Sequence, residues 1–147
     1  KPLFEFGYGL SFSEFEYHLL SAPTNIIAGD SIKIAVQVTN TSKMSGDEVV
    51  QLYVNLPDSK MKKPIRSLQA FNRIFLKSGE TKTIGFKLKP SQFAVPDKNF
   101  IPMVEPGRVE ISIGGKQPDD ESVKAGKVVK HIVNVTGDKY FIPNVSL

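Results

Sequence analysis

Cysteine and tryptophan are both absent from this 147-residue chain. Without cysteine there are no disulfides and no thiolate metal sites. That absence assigns no compartment, because many exported domains fold without bridges. No apolar run approaches the roughly 20 residues of a membrane span. There is no signal-peptide pattern and no initial Met. The chain starts instead on apolar and aromatic residues, which predicts a domain separated from a longer polypeptide. No stretch carries the 3.6-residue periodicity of an amphipathic helix.

What is present is ordinary globular chemistry. Hydrophobic residues make up 40% of the chain and charged residues 23%, and ten Phe and four Tyr supply the aromatic bulk. The length suits one domain, which can bury roughly 70% of the surface of its unfolded chain. Net charge is +4, so nucleic acid has to be weighed. The lysines are dispersed, and the one tight basic cluster (Lys60, Lys62, Lys63, Arg66) lies in a Pro-containing loop without interleaved aromatics. Neither a nucleic-acid nor a membrane partner is expected.

The dominant period is two. Ile32, Ile34, Val36 and Val38 alternate with Lys33, Ala35, Gln37 and Thr39, as on a half-buried strand. Val50, Leu52 and Val54 repeat the pattern against Val49, Gln51 and Tyr53. Phe15, Tyr17 and Leu19 form a third such face, Ile84, Phe86 and Leu88 a fourth, and Val109, Ile111 and Ile113 a fifth. The run FNRIFL is a shorter strand. The run VVKHIVNV is a further one, with apolar residues on both parities and no assignable face. Turn signals separate them, among them Ala28-Gly29-Asp30, Ser45-Gly46-Asp47, Ser78-Gly79-Glu80 and Pro106-Gly107. About seven short alternating strands predict an all-β, immunoglobulin-like antiparallel sandwich, with a closed barrel as the alternative.

Two connections are long, residues 56–69 and 90–106. Connections longer than about 12 residues are usually functional, interfacial or disordered. The first holds Met61, Pro64, Ile65 and Leu68, the second Phe93, Phe100, Ile101 and Met103. Both are apolar enough to pack on their own core or to dock on something else.

The string F-G-Y-G-L-S over residues 6–11 invites a phosphate-cradle reading. A dinucleotide fingerprint needs a third glycine and a following helix, and a P-loop needs Lys-Ser/Thr; neither is here. Glycines instead let a backbone pass close to another surface, and flanking aromatics supply buried area. Phe4, Phe6, Tyr8 and Leu10 therefore read as a strip that lies against a neighbouring body. His18 and His131 stand alone, one per strand. Asp119, Asp120 and Glu121 form the tightest acidic group, in a polar loop. Sequons for N-glycosylation occur at Asn40, Asn134 and Asn144.

PLFEFGYGLSFSEFEY, residues 2–17, resembles the start of the C-terminal fibronectin type III-like domain of family 3 glycoside hydrolases, the β-glucosidase and β-xylosidase group. GDEVVQLYV, residues 46–54, is similar to that family's third strand. Pro57, Ser59, Pro64, Leu68 and Phe71 keep the spacing of its next loop and strand. Leu76-Lys77-Ser78-Gly79-Glu80-Thr81 resembles a further turn, and Glu105-Pro106-Gly107 with Ile113-Gly114 its penultimate strand. The likeness runs from about residue 2 to residue 115. Glu5 stands where proline is usual, and Gln69-Ala70 where a lysine-glycine pair is common.

The resemblance implies a fibronectin type III-like sandwich over residues 12–138, an interdomain linker at 1–11 and a C-terminal tail at 139–147. Retaining glycoside hydrolysis needs two carboxyl groups about 5 to 5.5 Å apart. In the family these lie in the upstream barrel and α/β domains. The resemblance thus implies no catalytic, metal or cofactor-binding residue here. The expected role is that of an accessory domain of a periplasmic or secreted hydrolase, bracing the catalytic domains or joining subunits, with those upstream domains as partner and a homodimer as a second possibility. Interdomain contact candidates are Phe4, Phe6, Tyr8, Leu10, Met61, Pro64, Leu68, Phe93 and Phe100. The alternatives are a carbohydrate-binding module and a generic immunoglobulin-like interaction domain.

Overall fold

The computed structural model describes residues 14–59, 66–115 and 126–143. The strands are β1 (Phe15–Ser21), β2 (Asn25–Ile27), β3 (Ile32–Asn40), β4 (Gly46–Asn55), β5 (Arg66–Leu76), β6 (Thr81–Leu88), β7 (Val95–Pro96), β8 (Pro102–Val104), β9 (Gly107–Gly114), β10 (Val128–Thr136) and β11 (Tyr140–Phe141), with a 3-10 turn at Pro90–Phe93. They form a three-stranded sheet β1-β3-β6, a five-stranded sheet β2-β10-β9-β4-β5 and a small ribbon β11-β8-β7. All pairings are antiparallel except that of β2 with β10. The two larger sheets face each other and enclose one core, so the fold is the expected all-β sandwich.

The period-two pattern decides which side chains meet. Ile32, Val36 and Val38 of β3 are fully enclosed, and so are Val50 and Leu52 of β4 and Ile113 of β9. Their alternates face outward, as an antiparallel sheet with one wet face requires. β10, whose faces the sequence leaves open, runs in unbroken register with β9. Val133 and Val135 point into the core, while Val128 is buried on the other side beside Gly114. Gly114 leaves that valine its space: a Cβ there would lie 2.6 Å from Val128 Cγ2. One strand thus carries apolar residues on both parities for two separate reasons.

Three elements exceed the sequence expectation. β5 begins at Arg66 rather than at Phe71, because a bulge at Gln69 lets pairing with β4 continue past the irregular Ala70–Leu68 stretch. The 90–106 connection is ordered by the 3-10 turn and by β7 and β8. Tyr140–Phe141 pairs with β8, and Tyr140 packs against the core. Its ring lies so close to Gly29 that a Cβ there would be 2.9 Å from Tyr140 Cδ1, at a φ of +106°.

Candidate interdomain contact surface

Two polar devices tie the sheets together and fix which end of the sandwich receives the chain. Asn40, at the end of β3, is fully buried. Its Nδ2 donates to the carbonyls of Met44 (2.8 Å) and Leu76 (3.0 Å), and its Oδ1 accepts from the Ser42 N–H and Oγ. One side chain therefore links the end of β3 to the end of β5. Next to it, the Thr41 N–H donates to the Glu14 carbonyl at 2.9 Å. The described chain enters the fold at this corner.

The second device joins β1 to β4. Tyr17 Oη donates to Glu48 Oε2 at 2.7 Å. Burial raises the Glu48 carboxyl above the usual carboxylate range, opposed by the Tyr17 hydrogen bond, the Val49 N–H and the charge of Lys127. Burial raises the Tyr17 phenol as well, followed by the charge of Glu48 and the hydrogen bond to it. At the opposite end of the sandwich, Asp58 and Arg108 form a forked pair, with Nε to Oδ2 at 3.1 Å and Nη2 to Oδ1 at 2.8 Å. The Arg108 side chain and N–H pull the Asp58 carboxyl down to about 2. Both groups are exposed, so the pair positions the start of the 56–69 connection more than it stabilises the fold.

The contact candidates separate on this frame. Phe4, Phe6, Tyr8, Leu10, Met61 and Pro64 lie outside the described residues, as does the Asp119-Asp120-Glu121 group. Leu68 lies on the outer side of β5 and is exposed. Phe93 ends the 3-10 turn and is 2% exposed, packed in this domain's own core. That burial removes Phe93 from the surface a partner could touch, because the turn folds the residue back under the sheets. Phe100 is 85% exposed at φ 65°. The Asp97 carboxylate holds it out by accepting from the N–H groups of Asn99 and Ile101.

The remaining polar motifs have structural duties. His131 Nε2 donates to the Pro23 carbonyl at 2.7 Å, fixing the crossover into β2. The Asn40 sequon is closed to a glycan in the folded state, since its amide lies inside the sandwich. Among the described residues, no three His, Asp or Glu side chains gather as a metal site, and no helix is long and apolar enough to cross a membrane. A groove of about 550 Å³ runs between the ribbon and the 97–98 turn, lined by Val95, Pro96, Met103, Lys98, Lys139 and Phe141. Phe141 is the aromatic in that lining.

Sequence reasoning passed over Phe71 and Phe75, which stand exposed beside Leu68 on β5. The signal was available: in FNRIFL both parities are apolar, Phe71 and Phe75 on one and Ile74 and Leu76 on the other. It also passed over Glu48, which has the inward parity of Val50 and so had to find a partner.

A sandwich with this strand order belongs to the class of fibronectin-like β-sandwich domains. The Fn3-like family, the fibronectin type III-like domain, matches residues 48–117. A beta-xylosidase of Formosa agariphila is 39% identical over 130 residues, which are 88% of this chain and 18% of that protein. The thermostable beta-glucosidase B of Acetivibrio thermocellus is 38% identical over 135 residues, again 88% and 18%. The crystal structure of a beta-glucosidase from Listeria innocua in complex with gluconolactone superposes with a TM-score of 0.76 at 31% identity, covering 94% of this chain and 18% of that one. The chain belongs to the fibronectin type III-like domains of the family 3 glycoside hydrolases. It spans about a fifth of the length of the relatives it matches.

Proposed function

We propose that this domain is the C-terminal accessory module of a β-glucosidase- or β-xylosidase-type hydrolase and braces the catalytic part of that enzyme. One observation carries the reading: nearly the whole chain aligns with a single segment of enzymes about five times as long. The two carboxyl groups of the reaction then belong to the rest of the polypeptide, and this sandwich supplies surface. Residues 1–11 act as the linker, and Phe4, Phe6, Tyr8 and Leu10 lie against the preceding domain. The loop residues Met61 and Pro64, Leu68 of β5 and the projecting Phe100 complete the contact. Export to the periplasm or beyond fits a relative named as the periplasmic beta-glucosidase of Salmonella typhimurium, 35% identical over 127 residues.

The test is Tyr8→Ala, made both in the parent enzyme and in the 147-residue chain. The parent's thermal midpoint is expected to fall and that of the chain to stay. An unchanged parent midpoint would overturn the bracing role. Calorimetric titration of the chain with cello- and xylo-oligosaccharides is expected to give no binding heat. Appreciable heat would favour a carbohydrate-binding module seated in the groove beside Phe141.

A further inference from the structure

β5 is an edge strand of the five-stranded sheet and is apolar on both of its sides. Register with β4 places Ala70, Asn72, Ile74 and Leu76 on the core side, opposite Leu52, Val50, Glu48 and Gly46. Leu68, Phe71, Arg73 and Phe75 fall on the outer side. There, Phe71 is 66% exposed, Phe75 50% and Leu68 46%. The outer side of an antiparallel sheet ordinarily turns polar residues to water. Here it is more aromatic than the side that faces the core. Val49 and Tyr53, both half-buried on β4, widen the apolar strip.

A long edge strand with such a face invites association unless something covers it. One edge carbonyl, that of Gln69, is already occupied by Gln92 Nε2 at 2.9 Å. The phenylalanines have no such cover among the described residues. Arg73 stands between them, and no ion pair among the described residues involves it.

We propose that the outer side of β5, centred on Phe71 and Phe75, is the seat of the preceding part of the same polypeptide, through an apolar surface that offers a carboxylate to Arg73. The proposal rests on the accessory-domain reading. Three observations select this occupant. The relatives carry more than four-fifths of their length outside the segment matched here. The described chain enters the fold at Glu14, which Thr41 and Asn40 connect to the Leu76 end of β5. Aromatic residues and arginine are also the types enriched at interface centres. A second copy fits poorly, because a two-fold axis through the middle of the strip would set Arg73 against Arg73.

Hydroxyl-radical footprinting of the 147-residue chain and of the parent enzyme tests this. Phe71 and Phe75 are expected to oxidise readily in the chain and about tenfold more slowly in the parent, as befits side chains moved into a packed interface. Arg73→Glu should lower the parent's thermal midpoint and leave that of the chain unchanged. Equal oxidation in both polypeptides overturns the proposal. Protection that grows with concentration in the chain alone assigns the face to a second copy and also overturns it. If Tyr8→Ala weakens the parent while Phe71 and Phe75 stay reactive there, the bracing role stands and this face is wrong. If neither responds, both readings fall.

Discussion

Tyr17 reaches from one sheet to Glu48 on the other, and its hydroxyl donates a 2.7 Å hydrogen bond to a carboxyl that burial disfavours as an anion. The two side chains carry a polar link between β1 and β4 across the sandwich, beside the one that Asn40 makes between β3 and β5. The same relationship makes stability depend on pH.

The folded-state pKa of Glu48 lies above its ordinary value, so the protonated form is favoured by folding. Its contribution is complete below the ordinary carboxylate range and is lost as pH rises through the raised value. Glu48→Gln keeps an acceptor for Tyr17 and removes the charge. The variant should melt higher than the parent chain near neutral pH, with the gap closing below about pH 4. A gap that stays constant across a calorimetric pH series would show that Glu48 is not the responsible group.

Asn40→Ala strips the side-chain donor from the buried Leu76 carbonyl, whereas the Met44 carbonyl keeps its bond from Ser42 Oγ. Leaving that one buried acceptor without its donor costs about 1–3 kcal/mol, measurable by urea unfolding. Asn40→Asp should cost more than the alanine variant at neutral pH, because it turns a carboxylate towards those same carbonyls. The reverse order would mean that the site opens to water.

Gly29→Ala combines an unfavourable φ with contact against the Tyr140 ring. A cost of about 1–3 kcal/mol is expected. In a Tyr140→Ala background the steric part should disappear and the backbone part persist, so a double-mutant cycle separates the two. Strict additivity would deny the contact between the 28–30 turn and β11.

Leu52→Ala, on the inner face of β4, should destabilise the chain by about 2–5 kcal/mol. Phe71→Ala, one strand away on the outer face, removes more atoms, yet in the isolated 147-residue chain it should cost less than about 1 kcal/mol. Comparable losses at both positions would place Phe71 in a core rather than on a surface.

The strands were legible wherever one parity was apolar and the other polar. β3 and β9 follow this rule and β4 does so apart from Val49 and Tyr53, so their inward residues follow from period alone. Legibility failed where a strand had two apolar sides. In β10 the second side exists because Gly114 makes room for Val128, and in β5 because Phe71 and Phe75 face away from the core. Pairing partners, not composition, separate those cases. The short strands β2, β7, β8 and β11 were hidden because each spans only two or three residues and carries almost no pattern of its own. Phe93 read as a surface anchor because its apolar loop resembles a docking loop; the 3-10 turn that buries it has no strong sequence mark. Glu48 and Asn40 were visible only as a strand residue and a sequon, since their importance comes from atoms distant in the chain.

The internal position of Asn40 matters when this gene is moved between hosts. Asn40-Thr41-Ser42 is an acceptor that a eukaryotic secretory pathway can modify while the polypeptide is still being threaded into the lumen. An oligosaccharide added at that moment would occupy the place where β3 and β5 later converge, and the two sheets could not shut. A yeast host should therefore secrete this sandwich poorly and a bacterial one should not, with Ser42→Ala, which removes the hydroxyl residue the acceptor requires and keeps Asn40 at the loss of one hydrogen bond to its Oδ1, restoring the yield.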